Sequence, residues 1–177
     1  MVNAVVQWGL AQGLWAIASI VWVEVVRDVY HVISHQWAPL KALHNWHHKA
    51  YKRDFTPVSA QIYAKAQLYN DVPESLVMMV AVGAIALLTP FSGFWIGFIY
   101  ATGYLLAAIA RSQGWLAISD LTHEPGPLTD RPSNWLVNRT YHWRHHFDDT
   151  NAYYGGAFTL VDKVLGSAVS NKGKTVA

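Results

Sequence analysis

Three long apolar stretches constrain the fold of this 177-residue chain more than any other feature. They run from about Val5 to Val26, from about Val72 to Leu88 and from about Phe91 to Ile118. The first and third are long enough to cross a bilayer core of about 30 Å as helices, and the second, at about 17 residues, lies at the short limit. Because Thr89-Pro90 and Ser92-Gly93 form a break with a turn signal, the last two stretches are predicted to form a tight helical hairpin.

Composition favours a membrane protein over a soluble protein with buried helices. The chain is 53% hydrophobic, contains nine tryptophans and has only 14% charged residues, so little polar surface is left. It contains no cysteine, which excludes disulfides, iron–sulfur sites and thiolate-ligated haem. A net charge of +2 gives no support for a nucleic-acid partner. We therefore expect an all-α integral membrane protein with about three to four transmembrane helices, forming a single domain over residues 1–177.

The distribution of lysine and arginine predicts how the chain is oriented. None occurs before Arg27, and none occurs between Lys65 and Arg111. The positive-inside rule therefore places the polar segments after the first and third stretches on the cytoplasmic side, with the amino terminus outside. All nine histidines fall in those segments. No basic residue precedes the first apolar stretch, so we do not expect a signal peptide there.

Eight of the nine histidines stand three or four residues from another histidine, which places their rings on one face of a helix. Imidazole is the commonest neutral metal ligand, and one ion takes about four to six ligands. Eight or nine imidazoles therefore predict two ions, or one ion with a redundant shell. The clusters are His31-Val-Ile-Ser-His35, His44-Asn-Trp-His47-His48 and His142-Trp-Arg-His145-His146, with His123 standing alone.

Two alternatives use histidine differently. Bis-histidine haem in a membrane protein would put the ligands inside apolar helices, whereas these clusters lie among basic residues such as Lys41, Lys49 and Arg144. A metal transporter or storage protein would hold its ligands near the bilayer midplane, but the three apolar stretches contain no histidine. A metal-binding or transport protein without catalysis remains the alternative from another functional class.

Members of the fatty acid hydroxylase and sterol desaturase superfamily of membrane-bound dimetal oxygenases carry three histidine motifs, called boxes, in the order H-x3-H, H-x2-HH and H-x2-HH. The three histidine clusters of this chain resemble these boxes in spacing and order. The first two boxes are separated by the eight residues Gln36 to Leu43, as in that superfamily; the separation in acyl-lipid desaturases is several times longer. The segment from Asn151 to Gly166 resembles the superfamily's N-x-x-Y-G and W-D-x-x-x-G ending, with Val161 where tryptophan is expected. The resemblance covers roughly Asp28 to Gly166.

The resemblance implies a membrane-bound non-haem diiron oxygenase with O2 as co-substrate. Such an enzyme hydroxylates or desaturates an unactivated C–H bond of a lipid, fatty-acyl or sterol-like substrate. Electrons would come from a separate ferredoxin or cytochrome partner. Two iron ions are expected, although imidazoles alone do not distinguish iron from zinc in the isolated protein. A carotenoid ring hydroxylase is the alternative. The first and third of the four boxes in those enzymes have the pattern H-x4-H, whereas this chain has H-x3-H in the first place and the lone His123 in the third.

The resemblance also assigns roles to particular residues. His123 matches an extra histidine before the last box and is a ninth candidate ligand. Because a metal-bound imidazole usually donates its other N–H to an acceptor, Asp28, Asn138 and Asn151 are expected to support the ligands. Tryptophans near the boxes fit either a substrate tunnel or membrane anchoring; they are Trp37, Trp46, Trp135 and Trp143. Eight histidines are expected to be both metal-binding and catalytic: His31, His35, His44, His47, His48, His142, His145 and His146.

Overall fold

A computed structural model describes residues 2–116, 122–128 and 131–168. Over these ranges the chain is helical and has no strand, only two isolated β-bridges. The prediction of an all-α protein is confirmed. The helices are α1 (Val2–Gln36), α2 (Ala38–Lys49), α3 (Ala60–Ala66), α4 (Val72–Leu88), α5 (Phe94–Ser112), α6 (Arg139–Phe147) and α7 (Leu160–Leu165), and a π-helical segment, Gln67–Asp71, joins α3 to α4.

Three helical segments in the described ranges are long and apolar enough to cross a membrane: Asn3–Gln36, Ala60–Leu88 and Phe94–Ser112. They contain the first two apolar stretches of the sequence and most of the third, so the prediction of about three to four transmembrane helices is confirmed. The first segment continues about ten residues beyond the apolar stretch, because no proline or glycine interrupts the chain between Val26 and Gln36. This extension of α1 carries the first histidine pair.

Helix α5 is shorter than the third apolar stretch, which predicted it. It begins at Phe94, after the predicted turn, and ends at Ser112. Gly114 follows at a φ of +73°, a left-handed conformation that favours glycine and ends helices. The last part of the apolar stretch, at 117 and 118, lies outside the described residues.

Helices α1, α4 and α5 form the membrane bundle. Their shared core includes Val23 of α1, Met78 and Val82 of α4, and Ala101 of α5. The approach of α5 to α1 depends on Gly97, because a Cβ there would lie 2.8 Å from the Ser19 hydroxyl oxygen. The predicted hairpin between α4 and α5 is present, and α1 packs against both of its helices.

The π-helical segment ends two residues before a proline. The amide of Val72 donates to the carbonyl of Gln67, five residues back, and Pro73 has no N–H to donate. The wide turn buries the polar side chains of Gln67 and Asn70 against neighbouring helices. Short π-helical turns inside longer helices are frequent at functional sites.

Candidate metal centre

All nine histidines converge where the extension of α1 meets α2 and α6. Helix α1 contributes His31 and His35, and the second and third boxes lie on α2 and α6. His123 comes from the described segment 122–128. Every histidine is buried except His48, which is half-buried.

The histidines form two groups, and within each group the candidate ligand nitrogens all lie within 4.8 Å of one another. Two groups fit the expectation of a dimetal centre. We call them the five-histidine group, which consists of His31, His35, His44, His48 and His145, and the four-histidine group, which consists of His47, His123, His142 and His146.

The two groups do not follow the boxes of the sequence. The second box gives His44 and His48 to the five-histidine group and His47 to the four-histidine group. The third box gives one residue, His145, to the five-histidine group and its other two to the four-histidine group. Residues i and i+4 are closest in angle around a helix, so the outer histidines of a box stay together and the one at i+3 points elsewhere.

The Nε2 atoms are too close and too numerous for hydrogen bonding to explain their arrangement. His146 Nε2 lies 3.0 Å from His47 Nε2, 3.1 Å from His142 Nε2 and 3.2 Å from His123 Nε2. A ring nitrogen has one N–H or one lone pair, so it cannot satisfy three such neighbours at once. Two nitrogens bound at right angles to one ion, each about 2.1 Å from it, would lie about 3.0 Å apart. The spacing therefore fits a shared cation.

The five-histidine group has the same spacing. His145 Nε2 lies 3.0 Å from His31 Nε2 and 3.1 Å from His35 Nε2. His48 Nε2 lies 3.0 Å from His44 Nε2 and 3.3 Å from His35 Nε2. Five imidazoles without a thiolate suit a first-row metal such as iron or zinc.

Three rings of the five-histidine group are oriented by hydrogen bonds on their outer nitrogens. His31 Nδ1 lies 2.7 Å from the Tyr154 carbonyl, and His145 Nδ1 lies 2.8 Å from the Ala152 carbonyl. A carbonyl only accepts, so each Nδ1 carries the proton and leaves the Nε2 lone pair for a metal. His44 Nδ1 lies 2.7 Å from Asn70 Oδ1, which has the same effect.

The four-histidine group is surrounded by aromatic rings. Tyr51 stacks on His123 with a centroid distance of 4.5 Å, and Phe55 lies 5.7 Å from His146. The Nδ1 atom of His47 is 3.8 Å from Asp71 Oδ1, beyond hydrogen-bond range. Among the described residues, His146 Nδ1 has no hydrogen-bond partner. For His47 and His146, packing rather than hydrogen bonding therefore fixes the position of the ring.

Burial keeps the imidazoles neutral at ordinary pH. It lowers the pKa of His44 to about 4 and that of His145 to about 3. Burial and the neighbouring imidazoles also lower the pKa of His47 and of His146 well below the usual range. Neutral imidazole is the form that binds metal, so the site offers lone pairs without first losing protons.

The three residues expected to support the ligands have other contacts in the structure. Asp28 accepts the backbone N–H of Gly156 at 2.8 Å, in the loop that also presents the Tyr154 carbonyl. Asn138 is the N-cap of α6 and accepts the Tyr141 N–H at 2.9 Å. Asn151 is exposed, and its backbone N–H donates to Asp149. Their roles at the metal centre stay predictions.

Asn70 and the two backbone carbonyls that orient the histidines were not predicted from the sequence. The polar amide of Asn70, next to an apolar stretch, was a usable signal, but every residue has a backbone carbonyl. Asp162 was also given no separate role, and it is fully buried. Its carboxylate accepts from the Tyr141 hydroxyl at 2.8 Å, and from the backbone N–H groups of Tyr154 and Gly155 at 2.9 and 2.7 Å. Asp162 thereby holds the loop that contacts His31.

A cavity of about 520 Å³ lies beside both histidine groups. It is lined by His31 and His44 of one group and by His47, His123 and His142 of the other. None of the four tryptophans considered for a substrate tunnel lines it. Most of the cavity surface is apolar, but several charged and polar side chains also line it, including Arg27, Asn70, Asp71, Glu74, Tyr100, Tyr104 and Arg111.

The helical membrane fold and the paired histidine groups define a class of membrane-embedded metal-binding protein. A family model described as fatty acid hydroxylase matches residues 16–167. The chain belongs to the fatty acid hydroxylase family. It is 52% identical over 183 residues to a Synechocystis protein described as a monoglucosyldiacylglycerol epimerase. The match covers 96% of this chain but 44% of the relative, so the chain spans less than half of that protein's length. No solved structure matches the chain.

Proposed function

We propose that this chain carries the metal centre of a membrane enzyme that epimerises a carbon in the sugar headgroup of a glycolipid, with monoglucosyldiacylglycerol as the substrate. The observation that carries the proposal is a cavity beside both histidine groups in which charged and hydroxyl side chains interrupt a mainly apolar surface. Apolar surface suits the lipid part of a substrate, and a few polar groups within such a pocket orient and select a polar headgroup. The name of the 52% identical relative supports the same substrate and reaction.

The nine histidines would hold two metal ions, which we propose to be iron. When bound, iron would supply the oxidising chemistry that removes hydrogen from a C–H bond. At a carbinol carbon, epimerisation breaks the C–H bond on one face and forms a C–H bond on the other, so no electrons are consumed overall. The protein's own residues would keep the imidazoles neutral, limit water at the buried centre and orient the sugar.

A second candidate is O2-dependent hydroxylation or desaturation of a lipid, which the fatty acid hydroxylase family match favours. Either reaction requires O2 and two electrons, and we propose a separate ferredoxin or cytochrome as their source. The two candidates therefore differ in their net demand for reductant. A carotenoid substrate belongs to this second candidate.

The test is to incubate the iron-loaded chain in lipid nanodiscs with monoglucosyldiacylglycerol and to analyse the lipids by mass spectrometry and sugar chromatography. An epimerase gives a product of unchanged mass with a different hexose, without consuming reductant stoichiometrically. A hydroxylase adds the mass of one oxygen, and a desaturase removes two hydrogens. His47→Ala should give no product. A wild-type chain that binds iron but yields only an oxygenated lipid would overturn the epimerase proposal.

We also propose that the histidine groups lie on the cytoplasmic side, as the lysine and arginine distribution indicates. The chain has no cysteine, so a single cysteine can be introduced as a probe. Thr150→Cys places it at an exposed position just after α6. A membrane-impermeant maleimide should label it only after right-side-out vesicles are permeabilised. Labelling of intact vesicles would place the site on the outer side.

A further inference from the structure

Three residues that line the cavity, Arg27, Tyr100 and Tyr104, form a polar network with Glu24, which does not line it. Glu24 is almost fully buried and pairs with Arg27 at 2.5 Å. Its other oxygen accepts from the Tyr100 hydroxyl at 2.6 Å and from the Tyr104 hydroxyl at 3.2 Å. Arg27 also donates to the Tyr104 hydroxyl at 2.7 Å. Because these groups neutralise one another, we expect them to shape the cavity and not to bind a ligand.

Two other charged side chains in the lining retain unused hydrogen-bonding capacity. Glu74, near the start of α4, is half-buried and lines the cavity. Among the described residues, none forms a hydrogen bond or an ion pair with its carboxylate. Arg111, near the end of α5, uses its Nε to donate to Gln67 Oε1 at 2.8 Å. Within the described ranges, its terminal Nη atoms have no acceptor.

A charged group at the end of a membrane helix is costly unless it meets water, a partner or a ligand. An ionised carboxylate only accepts hydrogen bonds, and a guanidinium only donates them. A sugar hydroxyl does both, so a hexose can bridge the two. Because Glu24 pairs with Arg27, the charged lining residues that remain are Arg111 against Asp71 and Glu74. This lining has no excess positive charge, so it suits a neutral polyol better than a phosphate headgroup.

The position of Glu74 connects the cavity to the histidines. The preceding π-helical segment contains Asn70, which bonds to His44, and Asp71, which lies 3.8 Å from His47 Nδ1. Glu74 follows on the same continuous helix, one turn from both residues. A headgroup held by Glu74 is therefore anchored to the same helix that positions His44 and approaches His47.

We propose that Glu74 and Arg111 bind the hydroxyl groups of the hexose headgroup and select glycolipids over other membrane lipids. This inference rests on the proposed function. Glu74 and Arg111 act as specificity-determining residues: they hold the sugar and do not bind metal. Their loss should weaken headgroup binding while leaving the metal content unchanged.

The experiment measures binding of a short-chain monoglucosyldiacylglycerol to the metal-loaded protein in nanodiscs by isothermal titration calorimetry. Short-chain phosphatidylcholine, short-chain diacylglycerol and free glucose serve as comparison ligands. The variants are Glu74→Gln and Arg111→Gln. Asp148→Asn is the matched control, because it also removes one charge but lies at an exposed position outside the cavity. Metal content is measured for every variant.

We expect Glu74→Gln and Arg111→Gln each to weaken glucolipid binding at least about tenfold, since a hydrogen bond to a charged group is lost. Affinity for diacylglycerol, metal content and the Asp148→Asn control should not change. Wild-type binding of the glucolipid that exceeds binding of free glucose would identify the lipid as the source of the sugar. Tighter wild-type binding of free glucose or phosphatidylcholine would overturn the inference.

The outcomes separate this inference from the proposed function. If the wild type converts and binds the glucolipid and both variants bind it equally well, the headgroup assignment is wrong and the proposed function stands. If the wild type neither binds nor converts the glucolipid, the proposed function fails and this inference fails with it. If Glu74→Gln does not fold, Arg111→Gln tests the same subsite from α5.

Discussion

Three rings of the five-histidine group are oriented by hydrogen bonds on their outer nitrogens, whereas the four-histidine group is enclosed by aromatic rings. His31, His44 and His145 each meet an oxygen within 2.8 Å. Around the other group, Tyr51 and Phe55 supply ring contacts. A hydrogen bond fixes both the tautomer and the orientation of an imidazole, while packing fixes only its position. We therefore expect the five-histidine group to bind its ion more tightly.

The largest effect should come from removing the central ligand of the four-histidine group. His146→Ala leaves three imidazoles around that ion, and we expect turnover to fall by more than about a hundredfold. Elemental analysis should show loss of that ion while the five-histidine group keeps its own. Retention of both ions with full turnover would remove His146 from the site, and loss of both would show that the groups do not bind independently.

Asp162 tests whether the hydrogen-bonded loop supports the five-histidine group. Asp162→Ala removes acceptors for the Tyr141 hydroxyl and for two backbone N–H groups in a fully buried position. We expect the free energy of unfolding to fall by about 3 kcal/mol. Thermal denaturation in detergent measures the change. A variant as stable as wild type would show that the loop does not depend on this carboxylate.

A substitution at Asn70 tests the difference between the two histidine groups at a single ligand, His44. Asn70→Ala removes the oxygen that orients His44, so metal affinity of the five-histidine group should fall about 10- to 100-fold. Asp71→Ala is the matched variant on the same turn, and its carboxylate is 3.8 Å from His47. We expect a smaller effect from it. Competition with a graded series of chelators measures both, and equal losses would contradict the distinction between the groups.

The smallest effect should come from the aromatic enclosure. Phe55 is fully buried and packs against His123 and His146. Phe55→Leu keeps an apolar side chain but reduces its volume, so we expect a loss of about 1 kcal/mol in unfolding free energy. Metal exchange at the four-histidine group should become faster, as a time course with a radioactive metal would show. An unchanged exchange rate would mean that the ring does not restrict this ion.

The sequence predicted the parts of the molecule that depend on local pattern. Apolar length predicted the membrane helices, and the spacing of histidines predicted rings on shared faces. Helical phase could also have predicted the split of each box: residue i+4 lies about 40° from residue i around the axis, and i+3 lies about 60° away in the opposite direction. His48 therefore stays with His44, and His47 turns toward the other group.

The parts that sequence analysis missed depend on contacts between distant segments. Asp28 stands three residues before His31, yet its carboxylate binds Gly156, which is 128 residues away. The oxygen that meets His31 is the backbone carbonyl of Tyr154, and every residue has such a carbonyl. Local spacing carries no information about which one will approach. Only the folded loop held by Asp162 makes that choice.

The π-helical segment has a consequence for how this site tolerates change in chain length. A π turn is equivalent to one extra residue inserted in an α-helix. Removing one residue from Gln67–Asp71 would restore regular helix geometry and rotate everything before it by about 100° relative to α4. Asn70 and Glu74 would then no longer face the site together. The added residue sets the rotation of the preceding helix relative to α4. Whether Asn70 and Glu74 face the site together therefore depends on the chain length of this segment as much as on the identity of its side chains.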